Sequence, residues 1–447
     1  MPETDGPQKK VLVIANLLHA SPRIPRIVKL LPQLGWSPTV ITPKVEAGSG
    51  RMFNAPPKEF ERLGIRIIEA GKGRPYEEVK NEGSTQLYSG LGKKVADRMD
   101  GKGEGRMNRL LERYYWRIYL TLNFPDVERR WKPDAIDAAE ELLQSERFDL
   151  LLSSSSPIIT HIICNEIKKK HGIPWIAEYR DLWTLNHNYQ LGPIMKIFDR
   201  RLELRTVGNA DAITTVTDEL AGRLSGMFPG KNVASIPTGF DKAELPDKVP
   251  LTKTFTMTYT GQFYPGGQDP YKVVDCISEL IADKLVERKR MRLRFYGPVS
   301  GALQRYTEQK GIEDVVSQHG VVAREDAILR QMESQVLLFL NWELSDKGTT
   351  SLKLIEYFFS RRPVLLTGGV GDNLIARTVL RTGAGRVAVS KEEIKAGILE
   401  YYREYMERGE VSSHGIAEEI EKFDSKHMAT AYSEFLESVS RAKAGSA

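Results

Sequence analysis

Short apolar runs alternate along this chain with stretches of helical spacing. Val11-Leu12-Val13-Ile14 opens the pattern, a loop follows over 16–25, and apolar positions recur at helical spacing over 27–34 before Gly35. Further runs stand at 39–42, 65–68, 149–152, 175–177, 212–216 and 233–237, with a helix predicted over 160–171. Short buried strands separated by helices predict parallel βαβ units. A second series begins at 255–260 and continues at 292–296, 315–319, 336–340, 363–367 and 385–389. Helices are predicted between these strands at 273–285, 302–310, 326–333 and 352–359, and a helix-rich tail over 417–442.

The two series are similar in size, and a polar, proline-bearing stretch at 241–254 reads as the linker between them. The expected fold class is α/β: two Rossmann-like, doubly wound parallel-sheet domains, 1–240 and 255–416, facing across a cleft. Ligand is expected there, at the carboxyl ends of the strands. One region breaks the rhythm. Residues 72–113 are rich in Gly and Lys without a clear period, and run into 110–131, which carries Tyr114, Tyr115, Trp116, Tyr119 and Trp131. The 72–131 region reads either as a helical insertion packed on the first domain or as a basic, aromatic surface for a membrane interface. Within 106–131 six arginines stand against three acids, a surplus that gives only weak, salt-sensitive attraction to an anionic membrane.

Composition narrows the class. The chain has 447 residues, enough for two or three domains, and its 41% hydrophobic content excludes a disordered or collagen-like protein. Sixty-four Lys and Arg against 59 Asp and Glu leave a net charge of +5, which suits an anionic small molecule or membrane surface and does not call for nucleic acid. Two cysteines, Cys164 and Cys276, are too few for a disulfide scaffold and fit a reducing cytosol. The polar 1–10 and the short run behind it lack the apolar length of a signal peptide or a membrane span. The expected location is cytoplasmic, with peripheral contact at the inner face of an anionic membrane as an added option.

Missing motifs exclude several chemistries. There is no Gly-x4-Gly-Lys-Ser/Thr for a P-loop, and no His-Glu-x-x-His or Cys-x-x-Cys for zinc. No Asp-x-Asp is present to hold a divalent ion against a diphosphate, and no Gly-x-Gly-x-x-Gly follows the first strand. Gly368-Gly369-Val370-Gly371 follows a strand with the wrong spacing, and reads as a tight strand-to-helix connection or a phosphate cradle.

The candidate chemistry lies after strands. Ser153–Ser156 and Pro157 precede the helix with His161; the serines cap that helix or, at its amino end, favour an anion. His161 itself reads as a core residue. Glu178, Arg180 and Asp181 end an apolar strand, either facing the cleft or forming a structural Arg–Asp pair. Behind the small-residue loop Gly348-Thr349-Thr350-Ser351, a helix carries Lys353 and Glu356 on one face. Free amides at its start suit a diphosphate, Lys353 adds charge, and Glu356 can accept two ribose hydroxyl protons; an exposed ion pair is the plainer alternative.

The stretch from Gly348 to Pro363, with Lys353-Leu354-Ile355-Glu356-Tyr357-Phe358 and Arg361-Arg362-Pro363-Val364-Leu365, resembles the donor-nucleotide motif of family 4 glycosyltransferases of the GT-B fold. Trp175-Ile176-Ala177-Glu178-Tyr179-Arg180-Asp181-Leu182-Trp183-Thr184 is similar to a segment of bacterial surface-polysaccharide members. Phe124-Pro125-Asp126, Ser155-Ser156-Pro157, Ile236-Pro237-Thr238-Gly239-Phe240-Asp241, Tyr259-Thr260-Gly261-Gln262-Phe263-Tyr264 and Gly320-Val321-Val322 follow the same family order. The resemblance implies retaining transfer of a sugar from a nucleotide diphosphate sugar, UDP in first place, to a glycan, lipid-linked or small-molecule acceptor. It implies no catalytic metal and no cofactor, and the absent Asp-x-Asp agrees.

Carried over by position, Glu356 would bind ribose, and Thr349, Thr350 and Ser351 would offer amides to the diphosphate. Gly261, Gln262 and Phe263 would line the loop over the leaving phosphates. Arg180, where many members have a sugar-contacting histidine, and Asp181, the following acid, are the expected catalytic pair. The acceptor side would comprise Asn16, His19, Arg23, Arg26, Ser155 and Ser156, with Arg26 best matching the family's basic position. Two positions depart from the family. Gly348 stands where a first glutamate is expected, and Gln268 where an arginine is expected, leaving Lys272 or Lys353 to neutralise phosphate. The 241–254 stretch would act as a hinge and 417–447 would cross back to the first domain. A GT-B sugar-nucleotide epimerase and a non-enzymatic sugar or nucleotide binding module are the alternative functions.

Overall fold

The structure, a computed structural model, describes residues 8–17, 21–45, 57–74, 123–186, 192–264, 267–342, 348, 350–369 and 371–444. Most of the 72–131 region, and with it Tyr114, Tyr115, Trp116 and Tyr119, lies outside the described residues. The chain divides into two compact units, Met1–Pro237 with Met428–Ala447, and Thr238–His427.

The first unit is built on seven parallel strands: β1 (Lys9–Ile14), β2 (Trp36–Val45), β3 (Arg66–Arg74), β4 (Leu150–Ser155), β5 (Trp175–Tyr179), β6 (Ala212–Thr215) and β7 (Asn232–Ser235). Their order is β3-β2-β1-β4-β5-β6-β7, which places the carboxyl ends of β1, β4 and β5 side by side. The continuous apolar runs follow from burial on both faces. Leu12, Ile14, Leu151 and Ala177 pack on one side with Ala135, Ala139 and Ile163. Val11, Val13, Leu150 and Ile176 pack on the other with Ile24, Ile27 and Trp36. Alternation along each strand decides which residue meets which layer.

The tail completes that second layer. It forms two helices, Ala417–Glu421 and Ser425–Ala444, rather than one. Met428, Tyr432, Leu436 and Val439, spaced three or four apart, bury their stripe in the first unit's core.

The second unit carries six parallel strands: β8 (Phe255–Thr260), β9 (Met291–Tyr296), β10 (Val316–Gln318), β11 (Val336–Leu340), β12 (Val364–Thr367) and β13 (Gly385–Ala388), in the order β10-β9-β8-β11-β12-β13. In β8 the sequence Phe-Thr-Met-Thr-Tyr-Thr alternates two kinds of buried face. Phe255, Met257 and Tyr259 enter the main core. Thr258 and Thr260 meet a polar seam instead, with Ser334 Oγ donating to Thr258 Oγ1 at 2.6 Å and Gln331 Nε2 to Thr260 Oγ1 at 3.0 Å. A capping box of Ser390 and Glu393 starts the helix Lys391–Arg408, and left-handed Gly409 ends it.

The 241–254 stretch belongs to the second unit. Asp241 caps a short 3-10 turn at Lys242–Glu244. The Thr252 amide donates to the Glu333 carbonyl at 2.8 Å, and Gln335 Nε2 donates to the Thr252 carbonyl at 3.0 Å. Its polar, proline-bearing composition is that of a surface strap, and the chain changes unit at Pro237/Thr238 and His427/Met428. Among the described residues no helix is long and apolar enough to cross a membrane.

Candidate active site

The carboxyl ends of β8, β9, β11 and β12 and the start of the helix Leu352–Phe359 form one edge of the second unit. Gly261 follows β8 with φ at 103°, in the region open to glycine. A Cβ there would lie 2.9 Å from Lys353 Cε and 3.0 Å from its Nζ, so the bare backbone makes room for the lysine. Lys353 Nζ donates to the Tyr259 hydroxyl at 2.7 Å and sits 3.8 Å from the centre of that ring. Burial pushes the Lys353 ammonium down to about 7, while Glu356 one turn on pulls the other way.

Glu356 is buried, and its partner is Arg324 rather than Lys353. Arg324 NH1 donates to Glu356 Oε1 at 2.6 Å, and its Nε and NH2 reach Glu244 Oε2 at 2.9 and 2.8 Å. The second carboxylate oxygen of Glu356 has a looser contact, 3.5 Å from Gln331 Nε2. The exposed-ion-pair alternative for Glu356 is therefore replaced by a partly buried pair with Arg324, which no local motif marks. Ser351 precedes the helix with extended backbone and makes no side-chain cap, and Ser351 and Thr350 are half-buried. Thr349 lies outside the described residues.

The loop after β8 is anchored by the residue standing where an arginine was expected. Gln268 Oε1 accepts from the Tyr264 amide at 3.2 Å, and its Nε2 donates to the Leu340 carbonyl at 2.6 Å. Tyr264 in turn stacks on Trp342, ring centres 5.5 Å apart. The Tyr259 hydroxyl donates to the Gln262 carbonyl at 2.7 Å, and Phe263 buries its ring against Tyr259 and Phe295. Phe263 thus serves the core beneath the loop. Lys272 is half-buried at the second position of the helix Tyr271–Ala282. Gly369 has φ at 76°, and a Cβ on it would come within 2.6 Å of Asn341 Nδ2, which accounts for that glycine as a tight connection.

In the first unit, Arg180, Asp181, Ser155 and Ser156 meet at the carboxyl ends of β4 and β5. The Arg180 amide donates to the Ser155 carbonyl at 3.2 Å, and its NH2 to the Ser156 carbonyl at 3.3 Å. Asp181 Oδ2 stands 3.6 Å from Arg180 Nε, a loose pairing with the carboxylate about half exposed. Asp126 ties the Phe124-Pro125-Asp126 segment to this edge: its carboxylate accepts from the Glu128 amide at 2.8 Å and the Ile158 amide at 2.7 Å. Ser155 is fully buried, Ser156 half-buried, and Asn16 half-buried beyond β1.

Arg23 departs from the acceptor-side expectation. It is fully buried: its Nε donates to Glu178 Oε1 at 2.6 Å and its NH2 to the Ile236 carbonyl at 2.6 Å, with the guanidinium over the Tyr432 ring. Ser154 also donates to Glu178. The charge at the end of β5 faces inward here because Arg23 neutralises it, so both belong to the interior. Arg26 is buried as well, at 4% exposure, and His19 lies outside the described residues. His161 is a core residue with its Nδ1 2.7 Å from Ser153 Oγ and its Nε2 without a hydrogen-bond partner; burial drops its pKa to about 3.

Residues 99–244 match the family described as Glycosyltransferase Family 4. No curated protein matches the chain in sequence. The fold is similar to sucrose-phosphate synthase from Thermosynechococcus elongatus, at 12% identity over 97% of this chain and 100% of that one, TM-score 0.58. It is also similar to α,α-trehalose 6-phosphate synthase from Burkholderia multivorans, at 12% identity over 98% of each chain, TM-score 0.55. The lipopolysaccharide outer core galactosyltransferase WaaB shares 12% identity over 95% of this chain and 99% of that one, TM-score 0.53. At such identities the structures establish the architecture alone, and the family match concerns residues 99–244, less than half of the chain. The chain thus carries a match to Glycosyltransferase Family 4 over residues 99–244, within two parallel-sheet units of GT-B architecture.

Proposed function

We propose that the protein transfers a sugar from a nucleotide diphosphate sugar, UDP-linked in the first instance, to a glycan, lipid-linked or small-molecule acceptor. Transfer proceeds with retention of anomeric configuration and without a catalytic metal. The observation that carries this reading is Lys353 seated against the bare face of Gly261, at the start of a helix that carries Glu356 one turn further on. An ammonium and free helix amides suit a diphosphate, and a carboxylate one turn further suits the ribose hydroxyls.

Lys353 takes the place of the arginine that Gln268 replaces. The diphosphate is the leaving group, and stabilising its developing charge is the main work such a site does. Retention follows if a leaving-group phosphate oxygen takes the acceptor proton on the same face of the sugar, which asks the protein chiefly to position the two substrates. Arg180 and Asp181, the latter half exposed, are then the groups that meet the sugar or acceptor.

The test is turnover of UDP-, GDP-, ADP- and dTDP-sugars with candidate acceptors in chelator-treated buffer, with product anomers read by NMR. Release of nucleotide with a retained anomer is expected. Tight donor binding without turnover favours the binding-module alternative, to which the structural use of Gln268 and the missing glutamate at Gly348 lend weight. Interconversion of the donor sugar without transfer identifies an epimerase.

A further inference from the structure

The helix Pro193–Val207 of the first unit reverses the pattern of an ordinary surface helix. Ile194, Ile197, Phe198 and Leu204 are exposed, while Asp199 and Glu203 are only 2% and 1% exposed. Burying carboxylates where apolar residues stand available costs stability unless hydrogen bonds offset it. Both acids make such bonds, and both make them to one short segment at the end of β5.

Residues 180–186 form neither helix nor strand, and Arg180 and Asp181 open them. Glu203 joins the two residues that flank 180–183. Its Oε1 accepts from the Tyr179 hydroxyl at 3.1 Å, and its Oε2 accepts from the Thr184 amide at 3.1 Å and from the Thr184 hydroxyl. Asp199 Oδ1 accepts from Trp183 Nε1 at 2.9 Å, between those anchors. A stretch without a ladder or helix of its own takes its shape from side-chain bonds of this kind. Without the two acids, the buried Tyr179 hydroxyl, Thr184 amide and Trp183 indole would lose these acceptors.

We propose that Glu203, seconded by Asp199, is a positioning residue for sugar transfer. It fixes the bend at 180–183, so that Arg180 and Asp181 hold the orientation in which they meet the sugar or acceptor. The role rests on the function proposed above for Arg180 and Asp181. Both acids are buried beneath the segment and act through it, without touching substrate. Lys353 and Glu356, the donor-side residues, belong to the other unit. Loss of Glu203 therefore acts on the chemical step and spares nucleotide binding.

Steady-state kinetics of Glu203→Ala, Glu203→Gln, Arg180→Ala and the Arg180→Ala/Glu203→Ala double variant test it, with affinity for the donor's nucleoside diphosphate measured by calorimetry. Glu203→Ala should lower kcat about 10–100-fold at unchanged nucleotide affinity. Glu203→Gln should keep most of the rate, because its amide oxygen accepts from Thr184 while its Nε2 donates to the Tyr179 oxygen. In the Arg180→Ala background Glu203→Ala should lower kcat little further, since the group it positions is already gone. Should Glu203→Ala fail to fold, Tyr179→Phe drops one of the three bonds, keeps the ring, and should show the same pattern with a smaller loss. The proposal is overturned if Glu203→Ala lowers only the melting temperature, with kcat of the folded protein as in wild type, or if the two losses multiply in the double variant. Absent turnover by wild type, or unchanged turnover by Arg180→Ala, overturns the site reading on which the role rests.

Discussion

Lys353 Nζ lies 2.7 Å from the Tyr259 hydroxyl, with the Tyr259 ring beneath it and the bare face of Gly261 beside it. A lysine enclosed by a neutral phenol and a glycine backbone, with Glu356 as the charge acting on it, gives up proton affinity, and its pKa falls to about 7. On the proposed donor placement a bound diphosphate would restore that affinity, so donor binding above pH 7 should take up a proton. Affinity for a UDP-sugar should fall as pH rises from 7, approaching ten-fold per unit. Calorimetry in buffers of different ionisation enthalpy should register the proton taken up.

Lys353→Met separates function from stability. Removing a buried cation should raise the melting temperature of the ligand-free protein at pH 6, where the lysine is otherwise held charged in the fold. The same change should weaken donor binding by about 1.5–3 kcal/mol, ten-fold or more, and flatten its pH dependence. A variant that binds donor as wild type does would remove Lys353 from the site.

Arg23 and Glu178 form a pair whose side chains are 1% and 0% exposed. Breaking such a pair leaves an uncompensated buried charge, at a cost of about 3–5 kcal/mol. Glu178→Ala and Arg23→Ala should each shift the urea midpoint of the first unit strongly. The kinetic constants of whatever folded protein remains should change little, which separates this interior role from an acceptor-binding one.

His161 makes acid stability measurable. Its folded pKa of about 3 lies below its ordinary value of 6.5. The unfolded chain therefore binds the proton first. Its contribution is fully present above pH 6.5 and is lost as pH falls toward 3, by up to about 1.4 kcal/mol per unit. Denaturation of His161→Phe over that interval should show a shallower loss than wild type.

Strands were legible because burial on both faces leaves an uninterrupted apolar run, as at 336–340, or apolar residues alternating with threonine, as at 255–260. The runs at 255–260 and 336–340 coincide with β8 and β11 to the residue. Side-chain partners were less legible, because they are tertiary facts. Arg324 meets Glu356 from 32 positions away, and nothing local marks it beyond a basic residue after Gly320-Val321-Val322. Arg23 follows the first strand, where a loop residue reads as ligand-facing, yet Glu178 draws it inside. Polar composition at 241–254 resembles a linker because a surface strap is solvated in the same way. The outward stripe of Pro193–Val207 has a spacing identical to that of a buried one, and the inward hydrogen bonds of Asp199 and Glu203 decide its direction.

Donor binding by Glu356→Ala is the most direct measurement. Arg324 keeps both bonds to Glu244 when the Glu356 carboxylate is removed, so folding should lose only about 1–2 kcal/mol. Lost ribose contacts should weaken UDP-sugar affinity ten-fold for each 1.4 kcal/mol, with Glu356→Gln falling between wild type and Ala. Affinity equal to wild type, joined to a much earlier melting transition, would make Glu356 a structural partner of Arg324 and place the donor elsewhere.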